Sequence, residues 1–156
     1  MEWLDLTLRL VVAVGAGGLL GLNRVLRGKP TGFRTLALVC LGAAMATITI
    51  LVGQTPGGAA DPNALSRVVQ GVLTGIGFLG AGVILMDSGG HVTGLTTAAT
   101  IWIAALLGIF CGLGHWMLAG IGTLLALGVL RAGVTIERLA ERLFKNEPSP
   151  PSEGGT

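Results

Sequence analysis

The amino-acid sequence predicts an all-α fold, a polytopic membrane bundle of about five transmembrane helices, and three observations carry that expectation. The chain has 156 residues, 51% of them hydrophobic and 12% charged, whereas globular chains average about 25% charged residues. Its charges gather in short runs separated by long uncharged stretches. Glycine occupies 27 positions, a density suited to helices that approach each other closely in lipid. A soluble domain of this composition would lack the polar groups to cover its own surface. The net charge of +2 is too small for a nucleic-acid footprint. Two cysteines in apolar surroundings exclude a disulfide scaffold.

The first span runs from near Trp3 to Asn23, about 31 Å of helix at roughly 1.5 Å per residue, enough for a hydrocarbon core of about 30 Å. Asp5 and Arg9 share one helix face at i, i+4, and Arg9 is expected to snorkel toward the interface. Glu2 and Asp5 replace the basic start of a cleaved signal peptide, so this segment is read as a retained span. Arg24, Arg27, Lys29 and Arg34 then mark a short basic loop broken by Gly28, Pro30 and Gly32. Thr35–Val52 is the second span, residues 53–67 form a Gly/Pro/Asn-rich loop, and Val68–Met86 is the third, with Pro62-Asn63 a possible helix opening.

From Ser88 to Leu130 there is no formal charge. One helix of that length would run about 64 Å, twice the hydrocarbon thickness, so the chain must fold back. Gly112-Leu113-Gly114-His115 is the turn signal, giving short helices over Gly94–Cys111 and Trp116–Arg131. Both lie near the lower limit for spanning, and a re-entrant hairpin fits them equally. The membrane domain is thus 1–133. Residues 134–146 follow as an amphipathic helical extension, with Glu141 and Lys145 paired at i, i+4, and 147–156 as a disordered tail. Basic residues in the 24–34 loop and the tail place both in the cytoplasm and the N-terminus outside. Five crossings, or three with a re-entrant pair, satisfy that pattern.

Glycines four apart, Gly17/Gly21, Gly71/Gly75 and Gly108/Gly112, are suited to close helix contact. The third span is densest, with Gly71, Gly75, Gly77, Gly80 and Gly82 around a lone Phe78. Close packing explains them; so does a helix free to bend, or carbonyls lining a polar pathway. Phe78 is then a plug or a packing knob. Single membrane threonines such as Thr47, Thr74 and Thr123 usually bond their own backbone. Thr96, Thr97 and Thr100 differ, because they cluster after Gly94 at an expected helix start, as a cap or an anion-friendly pocket. Arg24, Arg34 with Thr35, Arg67 with Gln70, and Thr97 are the candidate ligand or functional polar residues. Interfacial anchoring is the plain alternative for the arginines. His91 and His115 lack metal-site spacing, and Cys40 and Cys111 are expected to be inert packing residues.

Magnesium favours carboxylate oxygens, yet the uncharged spans hold none. Asp87 at the rim of the third span is the candidate metal ligand, and Asp61 lies in the 53–67 loop. No nucleophile–base pair or nucleotide loop is present, so neither enzymatic activity nor a cofactor is expected.

Gly21-Leu22-Asn23-Arg24, Gly32-Phe33-Arg34-Thr35 and Leu38 to Ala44 resemble the N-terminal half of the MgtC/SapB family. Arg67-Val68-Val69-Gln70-Gly71 running into Gly75 to Ile84 resembles its central signature, and Gly94 to Trp102 its third. The resemblance covers roughly residues 5–131. It implies a bacterial inner-membrane protein associated with adaptation to low magnesium and, in pathogens, with survival inside host cells. Some members are described as restraining the membrane ATP synthase. This chain has Asn23 where members usually carry Glu, and it is expected to be without the soluble C-terminal domain that many of them add. The expected function is that of an accessory or regulatory protein of magnesium, ion and energy homeostasis. It would act by helix–helix contact with a partner such as the ATP synthase. The alternative is a small homodimeric ion channel or transporter with a Gly/Thr/Arg-lined pathway. The small-residue faces suggest a dimer.

Overall fold

The computed structural model describes residues 2–53, 62–86, 88 and 90–144, with the backbone alone at 62, 134, 135 and 137–144. It contains α1 (Trp3–Val25), α2 (Phe33–Val52), α3 (Pro62–Gly82), β1 (Leu85–Met86), β2 (Val92–Thr93), α4 (Leu95–Leu113) and α5 (Trp116–Phe144). Five helices are long and apolar enough to cross a membrane. Asp61, Asp87, Lys145 and the 147–156 tail lie outside the described residues, as do the expectations placed on them.

Helices α1, α2 and α4 pack together as the centre of the bundle. Ala13 and Leu20 of α1, Leu36, Cys40 and Ala44 of α2, and Ala104, Ala105 and Leu107 of α4 form its core. In lipid, apolar burial between helices gains little, so contact depends on close approach. The small side chains at these positions allow it. A Cβ at Gly21 would lie 2.6 Å from the Phe33 Cα, and one at Gly112 would lie 2.7 Å from the Ala44 carbonyl oxygen. The Cys40 and Cys111 thiols meet across α2 and α4, both buried.

Helices α3 and α5 flank this centre. Within their apolar windows only 11% of residues are buried, against 56% in α4. The glycines of α3 therefore do not pack as the sequence spacing suggests. Added Cβ atoms at Gly71, Gly75, Gly77 or Gly82 would meet nothing within 4 Å, and Gly80 alone approaches a neighbour, the Ala98 side chain. Phe78 is 82% exposed, so it is not a packing knob within this chain. A single Phe facing outward has no intrachain hole to fill.

One further boundary differs from the sequence reading. The third helix ends at Gly82, and the segment beyond forms a small antiparallel hairpin pairing Leu85 with Thr93 and Met86 with Val92. Short strands of this kind carry too little periodicity to be read from sequence. The fifth helix runs on from Trp116 to Phe144, through the segment expected as a helical extension. Helix α4, at 19 residues, rises about 28 Å, which favours a spanning helix over a re-entrant one.

Two glycines shape the helix ends. Gly94 has φ of 89°, a left-handed conformation that strains any residue with a Cβ, and such a Cβ would strike the Val83 carbonyl. It locks the hairpin against the start of α4. Gly114, with φ of 76°, ends α4 in a left-handed cap donating to Cys111 and Phe110 carbonyls. Beside it, Arg9 forms the i, i+4 pair with Asp5 that the sequence predicts and adds a second contact. Its Nε donates to Asp5 at 3.0 Å and its Nη1 to the Gly112 carbonyl at 2.7 Å, placing a cation at the negative end of α4.

Candidate functional site

Chain direction sets the first site. Helix α1 ends, α2 begins, the hairpin turns and α4 begins at one end of the bundle, here called the basic end because it holds Arg24, Arg27, Lys29 and Arg34. Arg24, in the last turn of α1, is 3% exposed. Its Nη2 donates to the Thr97 hydroxyl oxygen in the first turns of α4. Its Nη1 donates to Thr100 Oγ1 at 3.4 Å, and its Nε and Nη2 to the Pro30 carbonyl at 3.2 and 3.0 Å. Thr100 donates its own proton to the Thr96 carbonyl at 2.6 Å, which leaves its oxygen free to accept from Arg24. The candidates Arg24 and Thr97 thus meet, and Gly94 fixes the helix start that brings them together.

Asn23 lies beside this cluster at 6% exposure. Its Oδ1 accepts from Arg131 Nε of α5 at 3.3 Å, while its buried Nδ2 has no hydrogen-bond partner. Both guanidinium groups bond neutral acceptors, with no carboxylate bonded to either among the described residues; Arg131 is exposed, whereas Arg24 is buried. An arginine at such a place needs every donor matched, and carbonyls at the end of α1 favour its charge.

The other candidates do not join this cluster. Arg34 and Thr35, in the first turn of α2, lie at the mouth of a cleft between α2 and α3 of about 610 Å³. Leu38, Val39 and Gly42 line its α2 wall, and Gly71, Gly75 and Leu79 its α3 wall. Arg67 sits in the second turn of α3, and Gln70 about one turn nearer the middle of the helix. Both are exposed, on one face with Thr74, Gly77, Phe78 and Ala81, which recur at the i, i+3, i+4, i+7 spacing of a single helix side. Thr74 bonds the Gln70 carbonyl at 2.8 Å. Trp102 is 42% exposed. Among the described residues, no three His, Cys, Asp or Glu side chains come together as a metal site.

The sequence predicts the Asp5–Arg9 pair, which forms at 3.0 Å, but not the Arg9 bond to Gly112 or the Arg131 bond to Asn23. Nothing in a single sequence brings residue 131 to residue 23. Asn23 next to Arg24 was visible as a polar residue near a span end, but its burial was not.

The architecture defines a class first: a five-helix membrane bundle with one buried arginine near one end and two sparsely packed flanking helices. Comparison then assigns the lineage. The MgtC family model matches residues 10–139, and the chain belongs to that family. It is 44% identical over 146 residues to protein SrpB of Synechococcus elongatus, covering 89% of this chain and 80% of that one. It is 39% identical over 136 residues to protein MgtC of Salmonella typhimurium, covering 87% of this chain and 54% of that one. It is 38% identical over 128 residues to the putative magnesium transporter YhiD of Escherichia coli, covering 81% of this chain and 59% of that one. The chain thus spans little more than half the length of the last two. No solved structure matches it.

Proposed function

We propose that this chain is a non-enzymatic accessory or regulatory protein of magnesium and ion homeostasis in a bacterial inner membrane, working through helix–helix contact with a partner membrane protein. The basic end is cytoplasmic in this reading, by the positive-inside bias. The observation that carries it is the outward face of α3. Arg67, Gln70, Thr74, Gly77, Phe78 and Ala81 are all exposed there, and no described residue satisfies the Gln70 side-chain amide. An amide left bare in lipid costs several kcal/mol, whereas interhelical hydrogen bonds and small-residue approach are what join membrane helices. The face is built to be covered, by a second copy or a membrane partner such as the ATP synthase. The magnesium connection rests on family membership and on the relative YhiD, named a putative magnesium transporter.

Photo-crosslinking from Phe78 in native membranes tests this, with Gly77→Leu and Gln70→Leu as variants. The expected result is a specific crosslinked product that both variants weaken, together with impaired growth at low magnesium. Absence of any product, with normal growth of both variants, overturns it.

The buried Arg24, Asn23 and Thr97, with the exposed Arg131 bonded to Asn23, favour a second reading, a small homodimeric ion channel or transporter. Purified protein in liposomes should then pass an ion, and no flux across magnesium, potassium, proton and fluoride panels would remove it.

A further inference from the structure

The geometry points to a phospholipid site in the α2–α3 cleft: an anionic lipid of the leaflet at the basic end, with its phosphate on Arg34 and Thr35 and one acyl chain lying between the helices. The site is on the opposite side of α3 from the Gln70–Phe78 face and stands independently of the partner reading.

Three features set the occupant. The cleft has a volume of about 610 Å³, within the range of about 300–1,000 Å³ typical of small-molecule sites. Beyond Arg34 and Thr35 every lining residue is aliphatic or glycine. Added Cβ atoms at Gly42, Gly71 and Gly75 would meet nothing within 4 Å, so glycines on facing helices hollow the space out rather than closing it. The second feature is length. From Arg34 the cleft reaches Ala43 on α2 and Gly71 on α3, midway along both helices. That is about 14 Å of helix rise, half of a hydrocarbon core of about 30 Å. A chain from one leaflet fits this depth, whereas a partner helix crossing both leaflets would need a groove along the full length of α2. Charge is the third feature. Arg34 is exposed at the mouth, without a carboxylate partner among the described residues, and Arg27 and Lys29 belong to the loop that precedes it. Basic groups at this level attract anionic headgroups, and a guanidinium presents paired donors to phosphate oxygens.

The full chain in mild detergent, titrated with phosphatidylglycerol or phosphatidylethanolamine of equal chain length and followed by native mass spectrometry, tests the assignment. The wild type is expected to retain one phosphatidylglycerol in preference to phosphatidylethanolamine. Arg34→Gln should weaken phosphatidylglycerol about fivefold and largely abolish the preference. Gly75→Leu, which fills the apolar channel, should remove both lipids. Gly15→Leu, at an open position on α1 away from the cleft, should change neither. Equal retention of the two lipids by the wild type, or undiminished binding in Gly75→Leu, overturns the proposal. A homodimer in place of the lipid adduct, lost in Gly75→Leu, would assign the cleft to a second copy and also overturn it. Arg34 is exposed and makes no side-chain hydrogen bond or ion pair among the described residues, so its variant reports on binding even if the glycine variant fails to fold.

Discussion

The glycines of α1 and α4 and those of α3 have the same spacing and opposite uses. Gly17, Gly21, Gly108 and Gly112 sit where a side chain would collide with α2: at Gly108 an added Cβ would lie 2.8 Å from the Ala43 Cβ. Gly71, Gly75, Gly77 and Gly82 sit where a side chain would meet empty space. The first set brings backbones into contact and builds the central three-helix unit. The second leaves one helix with a cleft on one side and an uncovered polar stripe on the other. A glycine four residues from another is thus a licence for close approach, and the surrounding structure decides whether it is used inside the chain.

The contrast breaks most easily at its tight side. Gly108→Val should destabilise the bundle by about 3 kcal/mol, since overpacking at a rigid backbone contact has no flexible neighbour to displace. A fall in the thermal midpoint in detergent would register it, and an unchanged midpoint would show that α2 and α4 are looser than described. Next in size is Arg24→Leu. Removing the guanidinium takes the donor from the Pro30 carbonyl and separates α1 from the buried Thr97 and Thr100 hydroxyls, for a loss of about 2 kcal/mol. Thr97→Val, read in the same melt, should lose less, because Arg24 keeps its other acceptors. Arg9→Gln comes third, at about 1 kcal/mol, with faster amide exchange at the Gly112–Gly114 end of α4 as its local signature. The smallest effect sharpens the comparison through its sign. Gly77→Ala should stabilise the isolated protein by a few tenths of a kcal/mol, by helix propensity alone. Destabilisation there would mean that α3 is already packed against something in the purified state.

Much of the fold was legible from residue order. Charge-free stretches of spanning length gave the helices, and Gly112-Leu113-Gly114 gave the last turn. The hairpin at Leu85–Thr93 escaped because four strand residues make no pattern. At the site, Thr96, Thr97 and Thr100 stood out as a cluster, and Arg24 as a span-end cation, but their meeting was not legible, since it joins residues 73 positions apart. Arg34 and Arg67 looked equivalent to Arg24 as end charges. The structure separates them, burying Arg24 and leaving the other two exposed.

Residue order by itself determined the solvent: so few charges, so placed, require lipid around helices whose backbones satisfy themselves. Tertiary structure alone decided which glycines are covered, which arginine is enclosed, and that Asn23 meets Arg131. Those outcomes depend on how helices distant in the chain are arranged around α2 and α4. Helical periodicity specifies which residues share a face, but it carries no information about what that face will meet.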